Sequence, residues 1–429
     1  MILRWMVRIL LVLVIVPLMG VFATEFMNES ALLADDNQNK CTRLPDPKDS
    51  PKRPNSGVVK TIRLTNEGEF SNRCEYSDAM YELTWDRPLP AHCRHRRPNA
   101  ALRPECSRPA IFPDAVEKPK LVILFVHGWT HFASHDDVKD DHFEKFAAQI
   151  KTIALSRQDK QVVGVYVTWN ASTGSAMDVF SFWSRKGISD RITQSAAVTK
   201  IVGAISASRG VSGHRDQFVA IGHSFGARML FAAVNAPLVL AVNKAYRPGA
   251  LYTAIDSVAD AVLLLNPAFE ASRYATINSF MRNEETFSCD QRPLTIIVST
   301  DNDSATGWYF PIGQSLSFLS DQRAKATVGN YSPYFTHSLK RSTAIECSSS
   351  APSESYFERQ TGLCLKRETD YHYRPGFAGK RSDWAQVLPE KQSCNPFWVV
   401  TTNKEVIDEH GGIWEGNVFP VWLMETLRL

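Results

Sequence analysis

The chain has 429 residues, 44% of them hydrophobic, enough to bury a full core as one large domain with insertions or as two smaller ones. Its 48 Lys and Arg stand against 45 Asp and Glu, a formal charge of +3, which is far from the basic excess that phosphate-backbone binding shows. No nucleic-acid partner is expected.

Residues 1–23 read as a secretory signal peptide. Arg4 and Arg8 precede an apolar run from Ile9 to Ala23 that ends in small residues. The alternative is an uncleaved membrane anchor over 9–23, and in either case the rest of the chain is exported, to a periplasm or to the medium. All eight cysteines lie beyond this segment, at 41, 74, 93, 106, 289, 347, 364 and 394, and an even count in an exported chain favours disulfides. None has the C-x-x-C or histidine spacing of a zinc site, so no metal is expected.

Residues 24–60 are polar and proline-rich, and read as a linker. Over 61–118 we expect a small cysteine-containing β element, with strands at "VVKTIRL" and "YELTW". The basic stretch "CRHRRPNAALRPECSRP" contains prolines and cysteines and reads as a solvated loop.

From 119 to 429 the pattern is that of an α/β domain. The runs "LVILFV", "VVGVYVT", "QFVAI", "AVLLL", "LTIIVS" and "FWVVT" lack polar alternation, so they must be covered on both faces, as strands of a parallel sheet are. Helices are expected over "DDHFEKFAAQIKTIALS", as one piece over "ITQSAAVTKIVGAISAS", and over "FGARMLFAAVNA" up to Pro237. Ligands collect at the carboxyl ends of such strands, which directs attention to the residues just beyond each run.

After "QFVAI" comes Gly222-His223-Ser224-Phe225-Gly226, a G-x-S-x-G pattern between strand and helix. It marks a turn so tight that the serine hydroxyl projects above the sheet. After "LVILFV" comes His127-Gly128-Trp129, whose Trp129 amide, with that of Phe225, would supply the preorganised donors an oxyanion needs. After "LTIIVS" come Asp301, Asn302 and Asp303. Asp303 is the preferred carboxylate partner for a histidine, with Asp301 and Glu270 as alternatives. After "FWVVT" comes His410, the preferred general base over His337 and His372, which follow no recognisable core strand and read as surface or cap residues.

The order Ser224, Asp303, His410, each beyond a strand, with "HGW" upstream, resembles the α/β-hydrolase superfamily and its serine esterase and lipase branches, over residues 121–429. The resemblance implies a mostly parallel sheet flanked by helices, a Ser-His-Asp triad, no cofactor and a small-molecule or lipid ester as substrate. The long stretch 304–394 departs from the minimal fold and is expected to be a cap or insertion carrying cysteines. A second cover is expected at "GSAMDVFSFWSRKG", where Phe180, Phe182 and Trp183 would line an acyl pocket. Thioesterase, amidase and peptidase activities use the same triad. A binding protein that keeps the fold without catalysis is the rival of a different class. N-x-[ST] patterns occur at Asn28, Asn170, Asn302 and Asn330, and a glycan on Asn302 would crowd Asp303, which favours bacterial export.

Overall fold

The computed structural model describes residues 57–84, 118–129, 141–171, 178–209, 216–245, 255–282, 287, 292–309, 322–341, 363–367 and 396–417. The N-terminal segment 1–23, the linker up to residue 56, the basic stretch 93–109 and His372 lie outside them. The fold is α/β, and the chain divides into two compact units, Met1–Phe218 and Val219–Leu429.

In the first unit, strands β1 (Val58–Leu64), β2 (Lys120–Val126) and β3 (Gln161–Trp169) form parallel pairs in the order β1-β3-β2. β2 is buried at every position, as its unbroken apolar run requires. β1 therefore does not belong to a separate N-terminal element; Val58 sits opposite Val163 and extends the same sheet.

The segment "YELTW" is also not a strand. Residues Arg73–Thr84 form helix α1, in which Ala79, Met80 and Leu83 are buried at helical spacing. Asn72 accepts the Cys74 amide at 2.8 Å at its start, and the buried Lys120 ammonium donates to the carbonyls of Glu82 and Leu83 at its end. Tyr-Glu-Leu-Thr alternates as a strand does, but the longer window is decided by the buried helical face. Cys74 is disulfide-bonded.

Helix α2 (Asp141–Ser156) buries Phe146, Ile150 and Ile153. The single helix expected over 192–208 is instead two, α3 (Asp178–Gln194) and α4 (Ala197–Ser208). At the break the Ser195 hydroxyl donates to the Ile192 carbonyl at 2.8 Å and accepts the Ala197 amide at 3.3 Å, serving both helix ends. α3 also takes in much of the stretch expected to be a loop cover, and Phe180, Phe182 and Trp183 fall within its first turns.

In the second unit the strands are β4 (Gln217–His223, entering from the first unit), β5 (Ala261–Leu265), β6 (Thr295–Thr300), β7 (His337–Arg341), β8 (Leu363–Arg367) and β9 (Phe397–Thr402). They run in the order β4-β5-β6-β9-β7-β8, parallel throughout except for the antiparallel β7-β8 pair. The described parts of 304–394 thus include two strands laid against the sheet beside β9, which a pure cap would not contribute.

Helix α5 (Phe225–Ala245) continues through Pro237 rather than stopping before it. A proline inside a helix costs about 3 kcal/mol. Leu238, Ala241 and Val242 are buried beyond it, and the apolar surface they remove from water offsets that cost.

Candidate active site

β4 is buried along its length and ends at His223; the next residue, Ser224, has φ 55, and α5 begins at Phe225. A serine in this left-handed region carries about 1–3 kcal/mol of strain and must be held there. The Ser224 amide donates to the Leu265 carbonyl at 3.0 Å, and its carbonyl accepts the amides of Ala268 at 3.1 Å and Arg228 at 3.3 Å. Gly222 is required by contact: a Cβ there would stand 2.6 Å from Ala227 Cα and 2.9 Å from the Gly226 carbonyl oxygen. The strand and the helix meet too closely for any side chain at that position.

Ser224, Asp303 and His410 form one hydrogen-bonded chain. The imidazole Nε2 of His410 lies 2.7 Å from Ser224 Oγ, and its Nδ1 lies 2.8 Å from Asp303 Oδ2. An ionised carboxylate only accepts, so Nδ1 carries the ring proton and Nε2 is left to accept the serine hydroxyl. Ser224 is 1% exposed and the Asp303 side chain 0%.

Burial pushes the Asp303 carboxyl upward, but the charge and hydrogen bond of His410 and the two hydrogen bonds from Thr306 outweigh it and hold the group below its ordinary range. Thr306 donates its hydroxyl to Oδ2 at 2.6 Å and its amide to Oδ1 at 3.0 Å. Asn330 donates in turn to the Thr306 hydroxyl at 3.1 Å, so both oxygens of the carboxylate are engaged and the hydroxyl that serves one of them is itself held.

The alternative acids stand elsewhere. Asp301 is exposed, with its amide bonded to the Thr402 carbonyl at 2.9 Å. The Glu270 carboxylate is taken by Arg228 at 2.9 Å and Arg273 at 2.8 Å. His337 is not a surface residue: it opens β7, is 5% exposed, shares a hydrogen bond with Thr336 and packs its ring on Trp398.

The loop carrying His410 is fastened by residues whose part is not evident in the sequence. The His410 carbonyl accepts from His223 Nε2 at 2.8 Å and from Asn266 Nδ2 at 3.0 Å, and Asn266 also donates to the Glu409 carbonyl at 3.2 Å. Asn302 bonds Asp408 at 2.8 Å and accepts the Glu409 amide at 3.3 Å. Two signals in the sequence could mark supporting residues, though not their partners: Asn266 directly follows an apolar strand, where asparagine tolerates its φ of 39, and Thr306, which holds the Asp303 carboxylate, stands three residues after it, the spacing of a side chain–backbone turn.

In the first unit, His127 is fully buried. Its Nε2 accepts the Trp169 amide at 3.1 Å, which leaves Nδ1 protonated to donate to the Gly128 carbonyl at 2.8 Å. The histidine of "HGW" thus fixes its own loop. Trp129 packs edge-on against Phe182 at 5.2 Å between ring centroids, and Phe182 is 2% exposed. Phe225 is fully buried at the start of α5, and Gly226 beside it is buried. The side chains of Phe180 and Trp183 lie outside the described set. Among the described residues no group of three or more His, Cys, Asp or Glu is placed to hold a metal ion.

No protein-family model matches the sequence, and no curated protein matches it.

Proposed function

We propose that this chain is an exported serine hydrolase of the α/β-hydrolase type that cleaves carboxylic esters through an acyl-enzyme. The observation that carries the reading is the hydrogen-bonded chain Ser224–His410–Asp303, with contacts of 2.7 and 2.8 Å between residues that lie beyond three different strands.

His410 Nε2 takes the hydroxyl proton as Ser224 Oγ attacks the ester carbonyl carbon. The negative charge that develops on the carbonyl oxygen is stabilised by backbone donors, among them the Phe225 amide at the start of its helix. Asp303 holds the imidazole in the Nδ1–H tautomer and stabilises its cationic form. The tetrahedral intermediate collapses as the C–O bond to the alcohol breaks, and His410 returns the proton to the departing oxygen. Water then attacks the acyl-enzyme, losing a proton to His410, which passes it back to Ser224 Oγ as the acid leaves.

On this reading 304–394 is a cysteine-containing insertion between acid and base, and residues 1–23 direct export or retain the chain at a membrane.

Protein expressed without residues 1–23 in an oxidising compartment, treated with a fluorophosphonate and assayed on p-nitrophenyl esters of increasing acyl length, tests the reading. A single adduct on Ser224 with ester turnover is the expected result. Folded protein with neither would overturn it in favour of a binding scaffold.

A further inference from the structure

We infer that Asn266 and His223 are positioning residues that hold the backbone of the catalytic histidine, and that turnover depends on the hydrogen bonds they donate to it. This rests on the hydrolase reading of the same site.

β9 ends at Thr402, so His410 stands eight residues out on a loop, in a segment where Glu409 has the left-handed φ of 52. A loop of this kind does not fix a side chain to the accuracy that proton transfer needs, unless its backbone is tied to rigid elements. The ties come from the ends of β4 and β5. Asn266 is fully buried, and its amide group reaches three partners: Nδ2 donates to the carbonyls of Glu409 and His410, and Oδ1 accepts the Thr300 amide at 3.1 Å. The backbone amide of Asn266 in turn donates to the Val298 carbonyl at 2.8 Å. One residue therefore joins the end of β5, the end of β6 and the histidine loop.

His223 supplies the second tie. A carbonyl only accepts, so the 2.8 Å contact between His223 Nε2 and the His410 oxygen requires a proton on Nε2. His223 also precedes Ser224 in the chain, so nucleophile and base are held to each other through the base's own carbonyl as well as through the reacting hydroxyl. The His223 ring lies beside that of His410, with centroids 4.9 Å apart, and limits where the catalytic ring can swing.

The test compares wild type with His223→Phe, which fills the same space without a donor, His223→Gln, whose Nε2 keeps one, and Asn266→Asp, which keeps the Thr300 acceptor and the tolerance for positive φ. For each, kcat, KM, the rate of fluorophosphonate labelling of Ser224 and Tm are measured. His223→Phe and Asn266→Asp should lower kcat and the labelling rate by on the order of 10- to 100-fold with KM within about threefold of wild type, and His223→Gln should recover most of the loss. Should Asn266→Asp fail to fold, the His223 pair decides alone. A His223→Phe protein that labels and turns over at the wild-type rate, or a His223→Gln protein as impaired as His223→Phe, overturns the positioning role while leaving the hydrolase reading intact. Wild-type protein that takes no adduct on Ser224 overturns both.

Discussion

Arg228, one helical turn beyond Ser224, places its guanidinium 2.9 Å from the carboxylate of Glu270, with the two side chains 1% and 12% exposed. The pair is linked to the Ser224 turn, since the Arg228 amide donates to the Ser224 carbonyl. Removing one partner of a buried pair leaves an uncompensated charge, which typically costs about 3–5 kcal/mol. Arg273 still faces Glu270, so Arg228→Met should fall at the low end, about 3 kcal/mol by urea unfolding. The double variant Arg228→Met/Glu270→Leu should recover most of that loss; equal instability of the single and double variants would show that the arginine acts through packing alone.

Ser224→Ala should abolish ester turnover, with kcat lower by about 10⁶, and leave Tm within a degree or two of wild type. A small change in Tm has a physical basis: the backbone hydrogen bonds that hold residue 224 in its left-handed conformation do not involve the side-chain hydroxyl. Near wild-type turnover in this variant would remove Ser224 from the mechanism.

Asp303→Asn should retain the fold and lower kcat by about 10⁴, because an asparagine can present its amide to Nδ1 and favour the wrong imidazole tautomer. Its stability should also respond differently to acid. The folded carboxyl titrates below its ordinary value of 3.8, so the stabilisation it brings is fully present above that pH and is lost as pH falls through the folded value. The Tm difference between wild type and Asp303→Asn should therefore shrink below about pH 4. A constant difference from about pH 6 down to about pH 2 would show that the carboxylate charge contributes nothing to the fold.

Gly222→Ala should destabilise the protein by about 1–3 kcal/mol, since the added Cβ meets backbone atoms of Ala227, which cannot move without shifting the helix start. It should slow fluorophosphonate labelling as well. Wild-type Tm and labelling together would mean that the strand and helix separate at little cost.

Strands β2, β3, β4, β5, β6 and β9 are legible in the sequence because each is built on an unbroken apolar run, and that property is local; β1 and β7, which also pair in parallel, carry polar residues and are not placed by it. The strand ends are legible for the same reason, and with them Ser224, Asp303 and His410 as candidates. Where a single side chain redirects the chain, periodicity alone misleads: Ser195 breaks a helix by satisfying both of its ends, and Pro237 is carried through one by the apolar face beyond it. His337 reads as a surface residue because the strand it opens joins the sheet only through a pairing with β9, about sixty residues further on. The ties at Asn266 and His223 are contacts between segments distant in sequence: the place of Asn266 just beyond an apolar strand marks the residue, but no local pattern names the His410 loop as its partner.

The placement of β7 and β8 has a consequence for how this protein could vary. β9 lies between β6 and β7 in the sheet, so the chain leaves Asp303, builds outward to β7 and β8, and returns inward to β9 before reaching His410. The segments carrying Asp303 and His410 leave adjacent strands, β6 and β9, paired from Thr295↔Phe397 to Thr300↔Thr402. Lengthening a flexible segment is thermodynamically mild, about 0.6 kcal/mol for each doubling. The excursion between them can therefore grow, shrink or exchange its contents at the outer margin while the β6–β9 pairing, from which the segments carrying Asp303 and His410 leave, is kept.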